Sequence, residues 1–160
     1  MDAPLIVNLA DVPAHSHPRR STNLEIEPDG AGWPDTGINV QVMQPGQPNC
    51  LYHREPVQED FLVLHGECIV ILDGEETPLK QWDFVHCPPG VDHVFVGAGD
   101  GPCAVLMIGS RRKDEAFYPV NDVAAKYGAS VKVATSVPRE AYANRPPIEP
   151  ARSPWPLDPT

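Results

Sequence analysis

The chain has 160 residues, 41% of them apolar, enough for one domain with a sizeable buried core. Its 22 acidic and 12 basic residues give a net charge of −10 and a pI near 4.9, a balance that repels phosphate backbones and anionic lipid and argues against a nucleic-acid or membrane-surface role. No apolar run reaches the length of a membrane span, and the opening residues MDAPLIVNLADVP carry no basic head before a long apolar stretch, so a cytoplasmic location is expected.

In chain order, residues 22 to 27, 38 to 44, 50 to 54, 59 to 65, 68 to 73, 84 to 87, 92 to 96 and 103 to 109 are short runs rich in Val, Ile, Leu and Phe, separated by Gly, Pro or Asp. This spacing predicts an all-β domain closed as a jelly roll or small barrel. Gly66, between FLVLH and ECIVIL, and Asp73-Gly74, before EETPLK, read as tight hairpin turns. Leu62, Val63 and Leu64 are apolar on both parities, so the outer sheet faces should be covered by a second subunit or by the chain's own arms. Next comes a basic run, Arg111, Arg112 and Lys113, with Asp114 and Glu115 directly behind it, which reads as a solvated turn. NDVAAKYG at 121 to 128 is the one credible helix, with Asn121 as N-cap and Gly128 as its stop. The seven prolines from Pro138 onward exclude helix or central strand. They leave an extended arm, favoured by Ile148 and Trp155, or a disordered tail, favoured by the proline density itself.

The chemistry concentrates in GQPNCLYHREPVQEDFLVLHG, residues 46 to 66. Positions 53 and 55 of an extended run face the same way, and 59 joins them if no bulge intervenes, so His53, Glu55 and Glu59 would converge. WDFVHCPPGVDHVFVG, residues 82 to 97, adds His93 after a Pro-Gly turn, and a closed barrel could bring it opposite the first group. Four donors from two segments form a metal-site signature. His15, His17, His65 and His86 read as surface or hydrogen-bonded residues, with His65 at most supporting the site from the barrel's end. Cys50, Cys68, Cys87 and Cys103 lack a Cys-x-x-Cys pair and read as buried free thiols. Cys87 could line a cavity, but no base stands beside it to make it a nucleophile.

These two segments resemble the paired motifs of the cupin superfamily, in which Gly, His-x-His, Glu and Gly recur in the first motif and Gly, Pro-x-Gly, His and Asn in the second. Gly46, His53, Glu59 and Gly66 match the first with one extra residue between Gly46 and His53, and Pro88, Gly90 and His93 match the second. The resemblance covers 46 to 97, about a third of the chain. Glu55 stands where the second His is usual, Trp82 where the first Gly of the second motif is usual, and Gly97 where Asn is usual. The resemblance implies a single-domain jelly-roll cupin β-barrel with one short C-terminal helix and a Pro-rich arm. In this reading residues 1–36 are an N-terminal arm and first strand, 37–112 the barrel core, 113–137 helix and connector, and 138–160 the arm or tail.

It further implies one divalent ion held by His53, Glu59, His93 and Glu55. Two imidazoles with one or two carboxylates suit Fe, Mn, Ni or Zn. Glu55 has two alternative roles, as general base or as a carboxylate paired with Arg54 or another cation. Phe61, Val63 and Phe95 share strand faces with Glu59 and His93 and would line the pocket. The expected function is that of a metal-dependent enzyme, an oxygenase or a lyase/isomerase, acting on a small oxygenated organic molecule. The alternative is a non-enzymatic small-molecule or metal-binding module. A homodimer is the expected assembly.

Overall fold

The computed structural model describes residues 4–27, 32–111 and 115–157. In chain order they form β1 (Ala14–Ser16), β2 (Thr22–Glu25), β3 (Thr36–Met43), β4 (Glu59–His65), β5 (Glu67–Leu72), β6 (Glu75–Lys80), β7 (Phe84–Cys87), β8 (His93–Ala98), β9 (Cys103–Ser110), α1 (Asp122–Ala125), α2 (Pro138–Ala141) and β10 (Glu149–Ala151). All strand pairs are antiparallel, in a seven-stranded sheet ordered β10-β1-β2-β3-β9-β4-β7 and a three-stranded sheet ordered β6-β5-β8. The expected jelly-roll architecture is what these two sheets build.

Side-chain alternation decides what lies between the sheets. Phe61, Val63, Val70, Phe95, Val105 and Met107 meet in one buried interior cluster. On β3 the apolar residues face the other way: Val40 and Val42 pack with Leu24 and Ala104 on the outside of the large sheet. That outer layer is covered by the chain's own ends, with Leu9 and Val12 from one and Ala151, Trp155 and Leu157 from the other. The outside of the small sheet, Ile71, Val94 and Val96, lies under Val123, Ala124 and Tyr127 of the α1 region. Of the two apolar residues expected to dock the C-terminal arm, Trp155 does so, while Ile148 is exposed. Among the described residues no helix is long and apolar enough to cross a membrane.

The Asp73-Gly74 hairpin forms as expected, with φ of 45° and 86°, the two left-handed residues of a tight β5–β6 connection. α1 is likewise capped by Asn121, whose Oδ1 accepts from Ala124 N at 2.9 Å. Several expectations are corrected. Residues 50 to 54 are not a strand. Bracketed by Pro48 and Pro56, they make only isolated bridges, His53 with His93 and Arg54 with Phe117. A second helix, α2, begins in the Pro-rich region, because Pro138 occupies a first-turn position where its missing N–H is never needed. β10 also lies in that region, at the sheet edge where Pro150 is tolerated. A bulge between Val63 and His65 shifts the pairing so that His65 stands opposite Ala104 of the outer cluster, which takes it off the Glu59 face. Of the basic run, Arg111 pairs with Glu27, while Arg112, Lys113 and Asp114 lie outside the described residues.

Trp82 carries a positive φ of 76°, which explains why glycine is usual at this place in the second motif. Its side chain is 68% exposed and gains little from burial. Trp82→Gly is therefore expected to stabilise the fold by about 1 kcal/mol, read as a higher midpoint in urea unfolding. A lower midpoint would contradict that balance.

Candidate metal centre

His93 opens β8 and exchanges two backbone hydrogen bonds with His53, His53 N to His93 O at 3.1 Å and His93 N to His53 O at 2.7 Å. Residues paired in this way stand directly opposite one another and project to the same side. Glu59 opens β4 between Cys87 of β7 and Gly109 of β9. One ligand atom from each of His53, Glu59 and His93 lies within 4.8 Å of the other two, a spacing that one divalent cation can bridge. The convergence expected along one strand is thus achieved across three chain segments.

Both imidazoles are oriented from behind in the same manner. His53 Nδ1 donates to the Leu51 carbonyl at 2.8 Å and His93 Nδ1 to the Val91 carbonyl at 3.1 Å, which leaves Nε2 of each ring as the free donor atom for a metal. His93 Nε2 lies 3.2 Å from Glu59 Oε2. That oxygen is buried and accepts no well-formed hydrogen bond. With Nδ1 carrying the ring hydrogen, a carboxylate oxygen and a nitrogen lone pair face each other away from water, an arrangement that calls for a proton or a cation between them. The residues present therefore fit a divalent ion.

The electrostatics agree. Burial pulls the His93 pKa down, but the adjacent Glu59 carboxylate outweighs it and holds His93 above the ordinary imidazole value. The same carboxylate favours a proton in that gap when no cation fills it. Burial, with His93 beside it, pushes His53 down to about 4, so its lone pair is available throughout the neutral range. Glu55 is outside the three-donor group, with Oε1 at 3.7 Å from His53 Nε2, and burial followed by the Glu59 charge pushes it up to about 7. Arg54 is not its partner: the guanidinium pairs with Asp92 at 3.2 Å and lies over the Phe117 ring.

Phe61 packs its ring 5.3 Å from His93 and 4.6 Å from Phe95, and Val63 joins the same interior cluster. Cys87 shares the Glu59 register, but burial and the Glu59 charge push its thiol up to about 12, far from a reactive thiolate. His15 and His86 lie against Glu25 and Asp60, at 2.8 and 2.7 Å, as surface or hydrogen-bonded residues away from the three donors.

Two groups of residues escaped the sequence reading. A cleft of about 330 Å³ reaches Glu59 between Gly37 and Asn39 of β3 and Met107, Gly109 and Arg111 of the β9 side. The polar alternation of β3 carries that signal, since Asn39 and Gln41 are in line with Phe61 and Val63 across β9 and so face inward. The second group backs His53: Tyr118 stacks on its ring at 5.7 Å, and the Tyr142 hydroxyl accepts from Leu51 N at 3.1 Å. Nothing in their spacing along the chain announces those contacts.

Residues 39–109 match the family described as Cupin domain. Among solved structures, the polyketide cyclase RemF from Streptomyces resistomycificus is 17% identical over 69% of this chain and 81% of that one, with a TM-score of 0.58. A cupin 2 domain-containing protein from Halorhodospira halophila is 23% identical over 72% and 81%, with a TM-score of 0.57. A sugar phosphate isomerase from Silicibacter pomeroyi is 28% identical over 62% and 65%, with a TM-score of 0.55, so the chain spans just under two thirds of that relative. No curated protein matches the chain.

Proposed function

On the premise that residues 39–109 of this chain are a cupin domain, we propose a metal-dependent enzyme acting on a small oxygenated organic molecule, with His53, Glu59 and His93 holding one divalent ion. The observation that carries this reading is the buried Glu59 Oε2, set 3.2 Å from the His93 ring nitrogen without a hydrogen bond of its own. When bound, such an ion supplies a Lewis acid that polarises a carbonyl or hydroxyl oxygen. Two imidazoles and a carboxylate without thiolate suit Fe, Mn, Ni or Zn.

Within the reading, Glu55 is the general base. A carboxyl group poised at about 7 takes up and returns a proton at neutral pH, the task of an isomerase or lyase. The name of the 28% identical relative, a sugar phosphate isomerase, supports that branch over the oxygenase. Phe61 and Phe95 exclude water from the floor of the site. The four free cysteines support a reducing, cytoplasmic setting. The exposed Leu5, Ile6 and Phe84 support a homodimer that would cover them.

The test is to supply the metal-loaded protein with small hydroxy acids, diketones and phenols, following oxygen consumption and deuterium incorporation from D2O together. Deuterium exchange without oxygen consumption is the expected result. Substrate-dependent oxygen consumption would select the oxygenase, and neither signal with metal retained would leave a binding module. Glu55→Gln is expected to lower turnover at least 100-fold with metal content unchanged, whereas loss of metal would make Glu55 a ligand.

A further inference from the structure

We propose a second binding site, for a phosphorylated small molecule, on the face built from the turn at 18–20, the segment 130–135 and the region of α2. A cavity of about 580 Å³ there is lined by Arg19, Lys132 and Arg145, with Ser130, Thr135 and Asn144 among its polar groups. None of its lining residues belongs to the metal centre.

What distinguishes this place is that three cations, Arg19, Lys132 and Arg145, line one cavity with a single carboxylate, Glu140. The chain has 22 acidic residues for 12 basic ones, so a cation has many acidic partners to choose from. Yet among the described residues the ion pairs made by arginine are those of Arg54 and Arg111, and Arg19, Lys132 and Arg145 have none. Arg145 donates to the Gly128 carbonyl at 2.8 Å, which fixes its position without neutralising its charge. Arg20, adjacent to the cavity, lies over the Tyr142 ring and hydrogen-bonds His17, so it too lacks an anion. The carboxylate of the lining, Glu140, already accepts from the Thr135 hydroxyl at 2.6 Å. Arg19 is held at a φ of 65°, a left-handed conformation that costs a non-glycine residue free energy and that the surrounding turn imposes.

Arg19, Lys132 and Arg145 against the single Glu140 carboxylate leave the cavity net positive, and Arg145 has its charged form disfavoured by burial and by Arg20. An oxyanion offsets that charge. Guanidinium groups present paired donors that match phosphate oxygens, and the Asn144 amide lines the same cavity. The volume is that of a small-molecule site, with room for a phosphate that carries an organic group.

The test uses the full chain in the presence of a chelator, with glycerol phosphate, inorganic phosphate and succinate as probes at constant ionic strength. Calorimetry is expected to show saturable binding of glycerol phosphate, weaker binding of inorganic phosphate, and at least a tenfold loss in Arg145→Gln and in Lys132→Gln. Lys132 is exposed, so its substitution keeps the test valid if Arg145→Gln does not fold. His93→Gln should bind glycerol phosphate like the wild type. Absence of saturable binding, equal affinity in Lys132→Gln, loss confined to His93→Gln, or succinate binding as tightly as glycerol phosphate would each overturn the proposal.

Discussion

Glu59→Gln is expected to weaken divalent-ion affinity by more than about 100-fold while leaving the metal-free fold within about 1 kcal/mol of wild type. Loss of a contact that merely supports a ligand costs about 10–100-fold, and Glu59 is proposed as a ligand itself, one of the three donors that converge. Glutamine keeps the shape, and its amide can donate to the His93 Nε2 lone pair that the carboxylate oxygen faces at 3.2 Å. A structural ion pair would behave in the opposite way, since removing one partner of a buried pair is strongly destabilising. Competition titration with Ni(II) or Zn(II) and urea unfolding read the two quantities. His53→Ala should lose metal to a similar degree. The pH dependence follows from His93: burial lowers its pKa but Glu59 outweighs that and holds it above the ordinary imidazole value, so the proton that must leave on metal binding persists to higher pH than on a free imidazole. Affinity should therefore rise with pH up to that raised pKa and fall about tenfold per unit below it. A profile with no fall in affinity as the pH is lowered would contradict this.

Gly97→Ala is expected to cost about 3 kcal/mol and to lower the melting temperature by roughly 10 °C. A Cβ there would stand 2.3 Å from the Gln44 carbonyl oxygen and 2.8 Å from its carbon, both backbone atoms. The turn that carries them is tied to Gly97 by Gly46 N to Gly97 O at 2.8 Å and Gly97 N to Gln47 O at 2.9 Å, so it cannot withdraw without breaking both bonds. The Asn usual at this place in the second motif has no room in this chain. Gly109→Ala is the control, because its Cβ would meet Glu59 at an ordinary 3.7 Å. Equal melting temperatures for the two variants would refute the steric account.

The strands and hairpins were legible because period-two alternation and turn glycines act locally. The candidate donors His53, Glu59 and His93 were legible because two motifs hold their spacing at once. The route by which they meet was not: parity along one strand was the expectation, whereas a Pro-bracketed loop carrying His53 pairs with β8 and brings the group together. Asn39 was missed for a related reason. A polar parity on a strand ordinarily means solvent, but the chain's two ends cover the outside of β3 and leave its polar side facing the interior. Tyr142 illustrates the limit: its contact with Leu51 joins residues 91 apart in sequence, which no local pattern records. The Pro-rich segment was read too strictly as to helix, since proline permits the first turn of α2, while the edge position of β10 agrees with an extended arm.

The most direct measurement of the central claim is diffraction from metal-soaked crystals at the absorption edge of the added ion. One anomalous peak is expected within bonding distance of His53 Nε2, His93 Nε2 and a Glu59 oxygen, about 2.0–2.2 Å for Zn(II). A protein saturated with metal but showing no peak among those three side chains would contradict the account.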